Sequence, residues 1–161
     1  MQQVYLFDWG DTLMVDFPNQ QGKMCDWPNV EAVDGAVATL AELAKCHSIY
    51  IATNAADSSE SEIQAAFARV GLDKFISGYF CRANLGVSKG TPAFFHRIIE
   101  QLKVLPESVV MVGDSLQNDV KPAMAAGLKA VWFNPDAKVH ELPNQVKQIS
   151  CLNELVGFEI K

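Results

Sequence analysis

Aspartates that follow strand-like apolar runs could together hold a metal ion. Asp8 follows the run at residues 3–7, Asp114 follows the run at residues 109–112 and one glycine, and Asp119 lies a little further on. Carboxylates brought to one place repel one another and raise one another's pKa unless a cation lies among them. Mg²⁺ prefers oxygen ligands of this kind. The three residues therefore predict a magnesium site, although single aspartates after strands often serve as helix N-caps or turn formers instead.

The apolar pattern of the chain predicts the elements that would position these aspartates. Strands are predicted at residues 3–7, 48–52, 75–81, 109–112 and 130–133. Helices are predicted at residues 35–45 with Asp34 as N-cap, at 56–70 closed by Gly71, at 91–102, at 116–126 stopped by Gly127, and from about residue 153. Strands that alternate with helices need long crossovers, which connect parallel strands. The predicted fold class is therefore α/β: a doubly wound, Rossmann-like, mostly parallel five-stranded sheet with helices on both faces.

Ligands of open α/β sheets bind outside the carboxyl ends of the strands. The residues at those ends carry oxygen atoms: Asp8 follows the first strand, Thr53 and Asn54 the second, and Asp114 with Ser115 the fourth. We therefore expect carboxylates and hydroxyls to collect at one edge of the sheet.

Composition indicates a single folded domain over residues 1–161. Hydrophobic residues make up 49% of the chain and charged residues 20%, and the formal net charge is −6. An acidic chain without a basic cluster argues against nucleic-acid binding. No apolar run is long enough to cross a bilayer, and no signal peptide is recognisable. The four cysteines form no C-x-x-C pair, so we expect reduced thiols and a cytoplasmic protein with no membrane partner.

Four ordered segments resemble the motifs of the haloacid dehalogenase-like (HAD) hydrolase superfamily. They are VYLFDWGDTL from residue 4, Thr53-Asn54, Lys89, and Gly113-Asp114-Ser115 followed by Asp119. The stretch VVMVGDSLQNDVKPAMAAGLKAVWF resembles the fourth motif and the strand after it. Each motif is weak alone, but four in the right order, each at a strand end, are specific.

The resemblance implies a phosphatase mechanism and assigns a role to each matching residue. Asp8 would attack phosphorus to form an aspartyl-phosphate. The ligands of Mg²⁺ would be Asp8, the backbone carbonyl of Gly10 and Asp114, with Asp119 as a further ligand or close behind. The substrate's phosphoryl group would be bound by Thr53, Asn54 and Lys89. Such chemistry needs little from the protein beyond in-line positioning and a positive field around the phosphoryl oxygens.

The sequence departs from the family pattern at two positions. Phosphatases of this superfamily usually carry a second aspartate two residues after the nucleophile as general acid and base, and this chain has Gly10 there. Loss of such a group typically costs about 10² to 10⁴ in rate. Asp11 could substitute, but a one-residue shift generally redirects a side chain. The family also usually has proline after the lysine, where this chain has Gly90.

The spacing of the motifs leaves no room for a substantial cap domain, so the chain resembles a capless member. Residues 14–30 form a loop after the first motif that could cover the cleft as a flap, pack as a satellite apolar cluster, or contact a second copy in a homodimer. Trp9 could contact a leaving group or serve in packing. An open site would admit a phosphorylated small molecule or a phosphoprotein.

The predicted function is thus a Mg²⁺-dependent HAD-like phosphatase acting through Asp8, with Gly10 in place of the usual acid. Two alternatives remain open at this level. One is a weak or inactive module that keeps the metal cleft for binding or regulation. The other is an enzyme for substrates with good leaving groups, which need no proton from the protein.

Overall fold

A computed structural model describes residues 2–55, 58–143 and 146–157 of the chain. Its centre is one sheet whose strands run in the order β3-β2-β1-β4-β5-β6, and every pairing is parallel. The strands are β1 (Val4–Phe7), β2 (Ser48–Ala52), β3 (Gly78–Phe80), β4 (Val109–Gly113), β5 (Lys129–Phe133) and β6 (Lys147–Ile149). The α/β, Rossmann-like class is therefore confirmed.

Helices connect the first five strands in succession. They are α1 (Ala36–Leu43), α2 (Glu60–Ala68), α3 (Arg82–Leu85), α4 (Pro92–Leu102) and α5 (Lys121–Ala125), with one π-helical turn at Leu116–Val120. Short 3-10 turns lie at Met24–Asp26, Asp73–Phe75, Pro106–Ser108 and Leu152–Leu155. Local sequence explains two of the helix starts, because Ser59 and Glu62 form a reciprocal capping box at α2 and Pro92 occupies the first turn of α4.

Both faces of the sheet are covered, because alternate residues of β1 point to opposite sides. Tyr5 and Phe7 lie in one apolar cluster with Leu40 of α1 and Phe67 of α2. Leu6 belongs to a second cluster that includes several residues of α4. The near-continuous apolar strands seen in the sequence are thus explained by burial on two sides.

Several predicted elements differ from those observed. The sheet has a sixth strand, β6, which pairs with β5 at the edge. The predicted strand 75–81 is shorter: Phe75 belongs to a 3-10 turn, and β3 begins only at Gly78. The predicted helix 116–126 begins as the π-helical turn, and the last helix is a 3-10 turn. Asp34 is not an N-cap; Gly35, with φ of 82°, precedes α1 instead. Residues 56–57, part of one predicted helix, lie outside the described residues.

The order of the strands reverses between β1 and β4. The chain winds outward from β1 to β2 and β3 on one side, and from β4 to β5 and β6 on the other. Such a switch point leaves a crevice at the carboxyl ends of the two central strands, where ligands of this fold bind. Within the described residues, no insertion of the size of a domain interrupts the elements that surround the crevice.

Candidate active site

Three carboxylates and one lysine meet at the switch point. Asp8 directly follows β1, and its backbone N–H still donates to Val112 of β4 at 3.0 Å. One carboxylate oxygen each of Asp8, Asp114 and Asp119 lies within 4.8 Å of the others. The Lys89 Nζ is 2.6 Å from Asp8 Oδ1 and 2.7 Å from Asp119 Oδ1. We call Asp8, Asp114 and Asp119 the acidic cluster.

The electrostatics of the acidic cluster favour a cation beyond the lysine. Burial, a hydrogen bond with Asp8 and the charge of Asp8 raise the pKa of Asp114 to about 8. Burial and the charge of Asp8 raise the pKa of Asp119 to about 6, although Lys89 acts in the opposite direction. Burial alone would lower the pKa of Lys89, but the charges of Asp8 and Asp119 outweigh it and the pKa is raised. Three carboxylates facing one ammonium group leave an excess of negative charge.

A close approach to Gly113 positions Asp119. A Cβ added to Gly113 would lie 2.1 Å from Asp119 Oδ2, so only glycine leaves room for this carboxylate. The π-helical turn brings Asp119 back over the end of β4, where its Oδ2 accepts the Ser115 N–H at 3.1 Å. Turns of this kind recur at functional sites. Trp132 of β5 supports the same segment by donating its indole N–H to the Asp114 carbonyl at 2.9 Å.

Lys89 is almost fully buried, and residues at the carboxyl end of β2 hold it in place. Its Nζ donates to the Ala52 carbonyl at 3.0 Å, and its backbone N–H donates to Asn54 Oδ1 at 2.8 Å. Gly90 adopts a φ of 108°, a conformation that a proline could not take. The departure from the family pattern at this position therefore reflects a different backbone path.

Thr12 is a site residue that the sequence reasoning missed. Its hydroxyl lies 3.2 Å from Asp8 Oδ2 and 3.5 Å from Asp114 Oδ1, and the residue is fully buried. The hydroxyl has one proton and donates to either Asp8 or Asp114. It lies between the two carboxylates and helps to orient them. Its position inside the first motif was the available signal.

The acidic cluster forms the floor of an open cleft of about 390 Å³. The residues that line the cleft include Asp8, Trp9, Gly10, Asp16, Lys23, Met24, Trp27, Thr53, Asn54, Lys89, Asp114, Ser115, Asn118 and Asp119. Every predicted site residue except Asp11 is among them. The Thr53 hydroxyl accepts the Ala55 N–H at 3.2 Å, which fixes its side chain within the cleft.

The loop at residues 14–30 forms one wall of this cleft, and we call it the cleft loop. Met24 and Trp27 are buried, pack into the main apolar cluster and also line the cleft. Lys23 pairs with Glu62 of α2 at 2.5 Å. Arg69 donates to the backbone carbonyls of three loop residues, Cys25, Trp27 and Pro28. The loop thus forms a wall of the cleft, and its buried residues belong to the main apolar cluster rather than to a satellite cluster.

Gly10, Asp11 and Asp16 have different surroundings. Asp11 has a φ of 59°, and it lines a second cavity of about 510 Å³ rather than the cleft. Asp16 lines the cleft near Gly10. Burial and the charges of Asp11 and Asp8 raise the pKa of Asp16. Nothing in the residue pattern distinguished Asp16 from an ordinary loop aspartate.

The Trp9 side chain is mostly buried. It is 6% exposed, and its ring centroid lies 5.9 Å from that of Phe67 in α2, yet one edge lines the cleft.

The four cysteines at residues 25, 46, 81 and 151 are free thiols. Among the described residues, no helix is both long and apolar enough to span a membrane.

The donor set fits Mg²⁺. Its candidate ligands are all oxygen atoms, and the negative charge of the three carboxylates exceeds the positive charge of Lys89. The cleft also leaves room for water and a phosphate. Hard divalent cations are bound in this way, through one or two carboxylates and the substrate's own oxygens.

Comparison with known proteins gives the same class. A family model for haloacid dehalogenase-like hydrolases matches residues 10–127. The putative HAD-hydrolase YfnB of Bacillus subtilis is 28% identical over 109 residues, which cover 67% of this chain and 45% of that protein. N-acylneuraminate-9-phosphatase of Mus musculus is 32% identical over 137 residues, which cover 79% of this chain and 54% of that protein.

Solved structures share the fold. An uncharacterised protein from Listeria monocytogenes superposes with a TM-score of 0.81 at 21% identity, covering 95% of this chain and 94% of that one. YfnB, whose crystal structure contains magnesium, superposes with a TM-score of 0.75 at 20% identity, covering 95% and 96%.

The family match spans well over half of the chain, and the chain therefore belongs to the haloacid dehalogenase-like hydrolases. It spans about half the length of the two curated relatives described above.

Proposed function

We propose that the protein is a Mg²⁺-dependent phosphatase that hydrolyses a phosphoester through an aspartyl-phosphate on Asp8. The observation that carries the proposal is the bridge from Lys89 Nζ to Asp8 and Asp119, with Asp114 beside them, at the switch point of the sheet. A buried nucleophile paired with a buried cation, on a cleft floor that can hold a divalent ion, is suited to phosphoryl transfer.

The positions of the residues support the role that we propose for each. Asp8 Oδ1 is held by Lys89, which would also neutralise charge on the phosphoryl oxygens. Thr53 and Asn54 would bind those oxygens from the end of β2. Asp8, Asp114, the Gly10 carbonyl and Asp119, as ligand or direct support, would hold Mg²⁺. When bound, the ion would polarise the phosphoryl oxygens and offset the repulsion within the acidic cluster.

A phosphorylated small molecule is the substrate class that we favour. The cleft volume lies in the range typical of small-molecule sites, and Met24 and Trp27 offer apolar contact to the part of a substrate beyond the phosphate. The phosphatase name of the mouse relative supports this class. A phosphoprotein is the alternative, because the cleft is open. We also propose one capless domain with the cleft loop as a flap, and, from the four free thiols, a cytoplasmic location.

The proposal is tested by Mg²⁺-dependent hydrolysis of 4-nitrophenyl phosphate by the purified protein. Asp8→Asn keeps the size of the side chain and one of its two acceptor oxygens but removes the nucleophile. We expect turnover that needs Mg²⁺ and falls to the assay background in Asp8→Asn. Equal turnover in the two proteins would refute the role of Asp8 and indicate a contaminating enzyme.

The second candidate function is a binding or regulatory module with little turnover. Gly10 favours it, because the carboxyl usual at that position is absent. This candidate predicts no hydrolysis of any phosphoester, while calorimetric titration still detects Mg²⁺ binding that Asp114→Asn weakens. Turnover that depends on Asp8 would exclude it.

A further inference from the structure

Asp16 is the cleft carboxylate that the acidic cluster does not use. Four aspartates line the cleft; three of them lie within reach of one another, and two of those three pair with Lys89. Among the described residues, no lysine, arginine or histidine lies within ion-pairing distance of the Asp16 carboxylate. The residue is exposed on the cleft side of the loop, so a substrate can reach it.

The Asp16 carboxylate lies beside the position that a side chain at residue 10 would occupy. A Cβ added to Gly10 would be 3.4 Å from Asp16 Cβ and 3.5 Å from Asp16 Oδ2, and no other side chain lies as near. Gly10 does not have a positive φ, so its backbone conformation does not require glycine. Residue 10 is two positions after Asp8 and lines the same cleft. Asp16 therefore supplies a carboxyl to a part of the cleft that Gly10 leaves without one.

The backbone at Asp16 is held in place. Its N–H donates to Asp11 Oδ1 at 3.0 Å, and the N–H of Val15 donates to the Glu31 carbonyl at 2.9 Å. Asp11 uses its own carboxylate in this contact and faces the second cavity. These contacts make Asp11 a positioning residue and leave the Asp16 carboxyl free to face the cleft.

We propose that Asp16 is the general acid and base of the reaction, acting on the leaving group and then on water. The inference rests on the proposed phosphatase function. It identifies a catalytic residue in the cleft loop rather than in the strand-end motifs.

The proton transfers balance over two steps. In the first, Asp8 bonds to phosphorus, the bond from phosphorus to the ester oxygen breaks, and that oxygen keeps the electron pair and takes the Asp16 proton to leave as an alcohol. In the second, water bonds to phosphorus, gives one proton to the Asp16 carboxylate, and the bond from Asp8 to phosphorus breaks. Inorganic phosphate is released, Asp8 is again a carboxylate and Asp16 is again protonated.

A series of leaving groups tests this assignment. kcat/KM, which reports the first step alone, is measured for 4-nitrophenyl phosphate, phenyl phosphate and an alkyl phosphate in the wild-type protein and in Asp16→Asn. A poor leaving group needs the proton most, so we expect Asp16→Asn to lose about 10²-fold or more on the alkyl ester. We expect less than about 10-fold on the 4-nitrophenyl ester, whose anion leaves without a proton. The retained activity also shows that the variant is folded.

A second readout is independent of the leaving group. Because the proposed base activates water in the second step, Asp16→Asn should accumulate phosphoenzyme with the 4-nitrophenyl ester. Acid quench and intact mass measurement would detect one added phosphoryl group, which Asp8→Asn should lack. Asp26→Asn, an equal change in the same loop outside the cleft, is the matched control and should behave as wild type.

Rescue gives the sharpest result. In the double variant Gly10→Asp with Asp16→Asn, the new side chain at residue 10 reaches the same space, and we expect at least about 10-fold recovery on the alkyl ester. An equal loss of kcat/KM on all three esters, or no loss, would overturn the role of Asp16. A leaving-group effect in Asp11→Asn but not in Asp16→Asn would assign the acid to Asp11 instead. A wild-type protein inactive on all three esters would overturn the phosphatase function, and the role of Asp16 with it.

Discussion

The absence of one atom, the Cβ of Gly113, allows the acidic cluster to form. Asp119 is fully buried and reaches across the end of β4, and the missing Cβ of Gly113 provides the space for its carboxylate. The carboxylate then accepts the Ser115 N–H and pairs with Lys89. The glycine before Asp114 is therefore a requirement of packing rather than of backbone flexibility.

Gly113→Ala should displace Asp119. The added methyl would overlap Asp119 Oδ2 at 2.1 Å, so the carboxylate must leave its place beside Lys89. We expect Mg²⁺ affinity, measured by calorimetry, to fall at least about 10-fold, and the free energy of unfolding to fall by about 2 kcal/mol.

A second substitution separates the steric effect from the electrostatic one. Combining Gly113→Ala with Asp119→Gly removes both the carboxylate and the Cβ that the methyl would overlap, so part of the stability should recover by denaturant titration while Mg²⁺ affinity stays low. Unchanged Mg²⁺ affinity in Gly113→Ala would show that Asp119 does not contribute to the metal site.

At the scale of elements, α2 holds the cleft loop in place. The loop has little regular structure of its own beyond one 3-10 turn. Arg69, just after α2, binds loop carbonyls, and Glu62 in the first turn of α2 binds Lys23. The pairing with Lys23 and hydrogen bonds from Ser59 lower the pKa of Glu62 to about 2, so the pair stays charged across the physiological range.

Arg69→Ala should loosen the wall of the cleft. Loss of the guanidinium leaves the carbonyls of Trp27 and Pro28 without this donor, so the loop should open more often. We expect faster amide hydrogen exchange over residues 22–28, a free energy of unfolding lower by about 1 kcal/mol, and a higher KM with little change in kcat.

Arg82→Ala, at an exposed arginine of α3, is the matched control and should leave exchange in the loop unchanged. If Arg69→Ala also left that exchange unchanged, the loop would be held by its apolar contacts alone.

At the scale of the whole molecule, the fold concentrates negative charge where β1 and β4 end. The raised pKa of Asp114, about 8, means that the folded protein disfavours its ionised form. The metal-free fold should therefore lose stability as the pH rises from the ordinary aspartate pKa toward about 8. A bound cation would remove this penalty.

Mg²⁺ should stabilise the folded protein. At about 100 times its Kd, a ligand of the folded state contributes about 2.7 kcal/mol, which raises the Tm of a protein of this length by about 5 to 10 °C. Asp114→Asn should lose this shift. At a pH of about 8 without Mg²⁺ it should also have a Tm at least equal to that of wild type, because it removes one repelling charge.

Thermal unfolding with Mg²⁺ and with EDTA provides the measurement. Asp136→Asn, at an exposed aspartate outside the cleft, should keep the full shift. A Tm of wild type that is the same with and without Mg²⁺ would contradict a metal site in the acidic cluster.

The fold class and the edge that carries the site could be predicted from the sequence alone. Strand ends are local features, since an apolar run stops directly before Asp8, directly before Thr53, and one glycine before Asp114. Alternation with helices makes the strands parallel, and parallel strands place their carboxyl ends together. No knowledge of distant contacts is needed for either step, and these residues do lie on one cleft.

Only the tertiary structure decided which way side chains in irregular segments face. Asp11, in the first motif, was the candidate that the sequence offered, and Asp16 lies five residues further on in the cleft loop; yet Asp11 lines the second cavity and Asp16 the cleft. The π-helical turn and the pairing of β6 with β5 were equally hidden. In such segments no period of 2 or 3.6 sets the direction of a side chain. That direction depends on contacts with residues far along the chain, such as those between the cleft loop and Arg69.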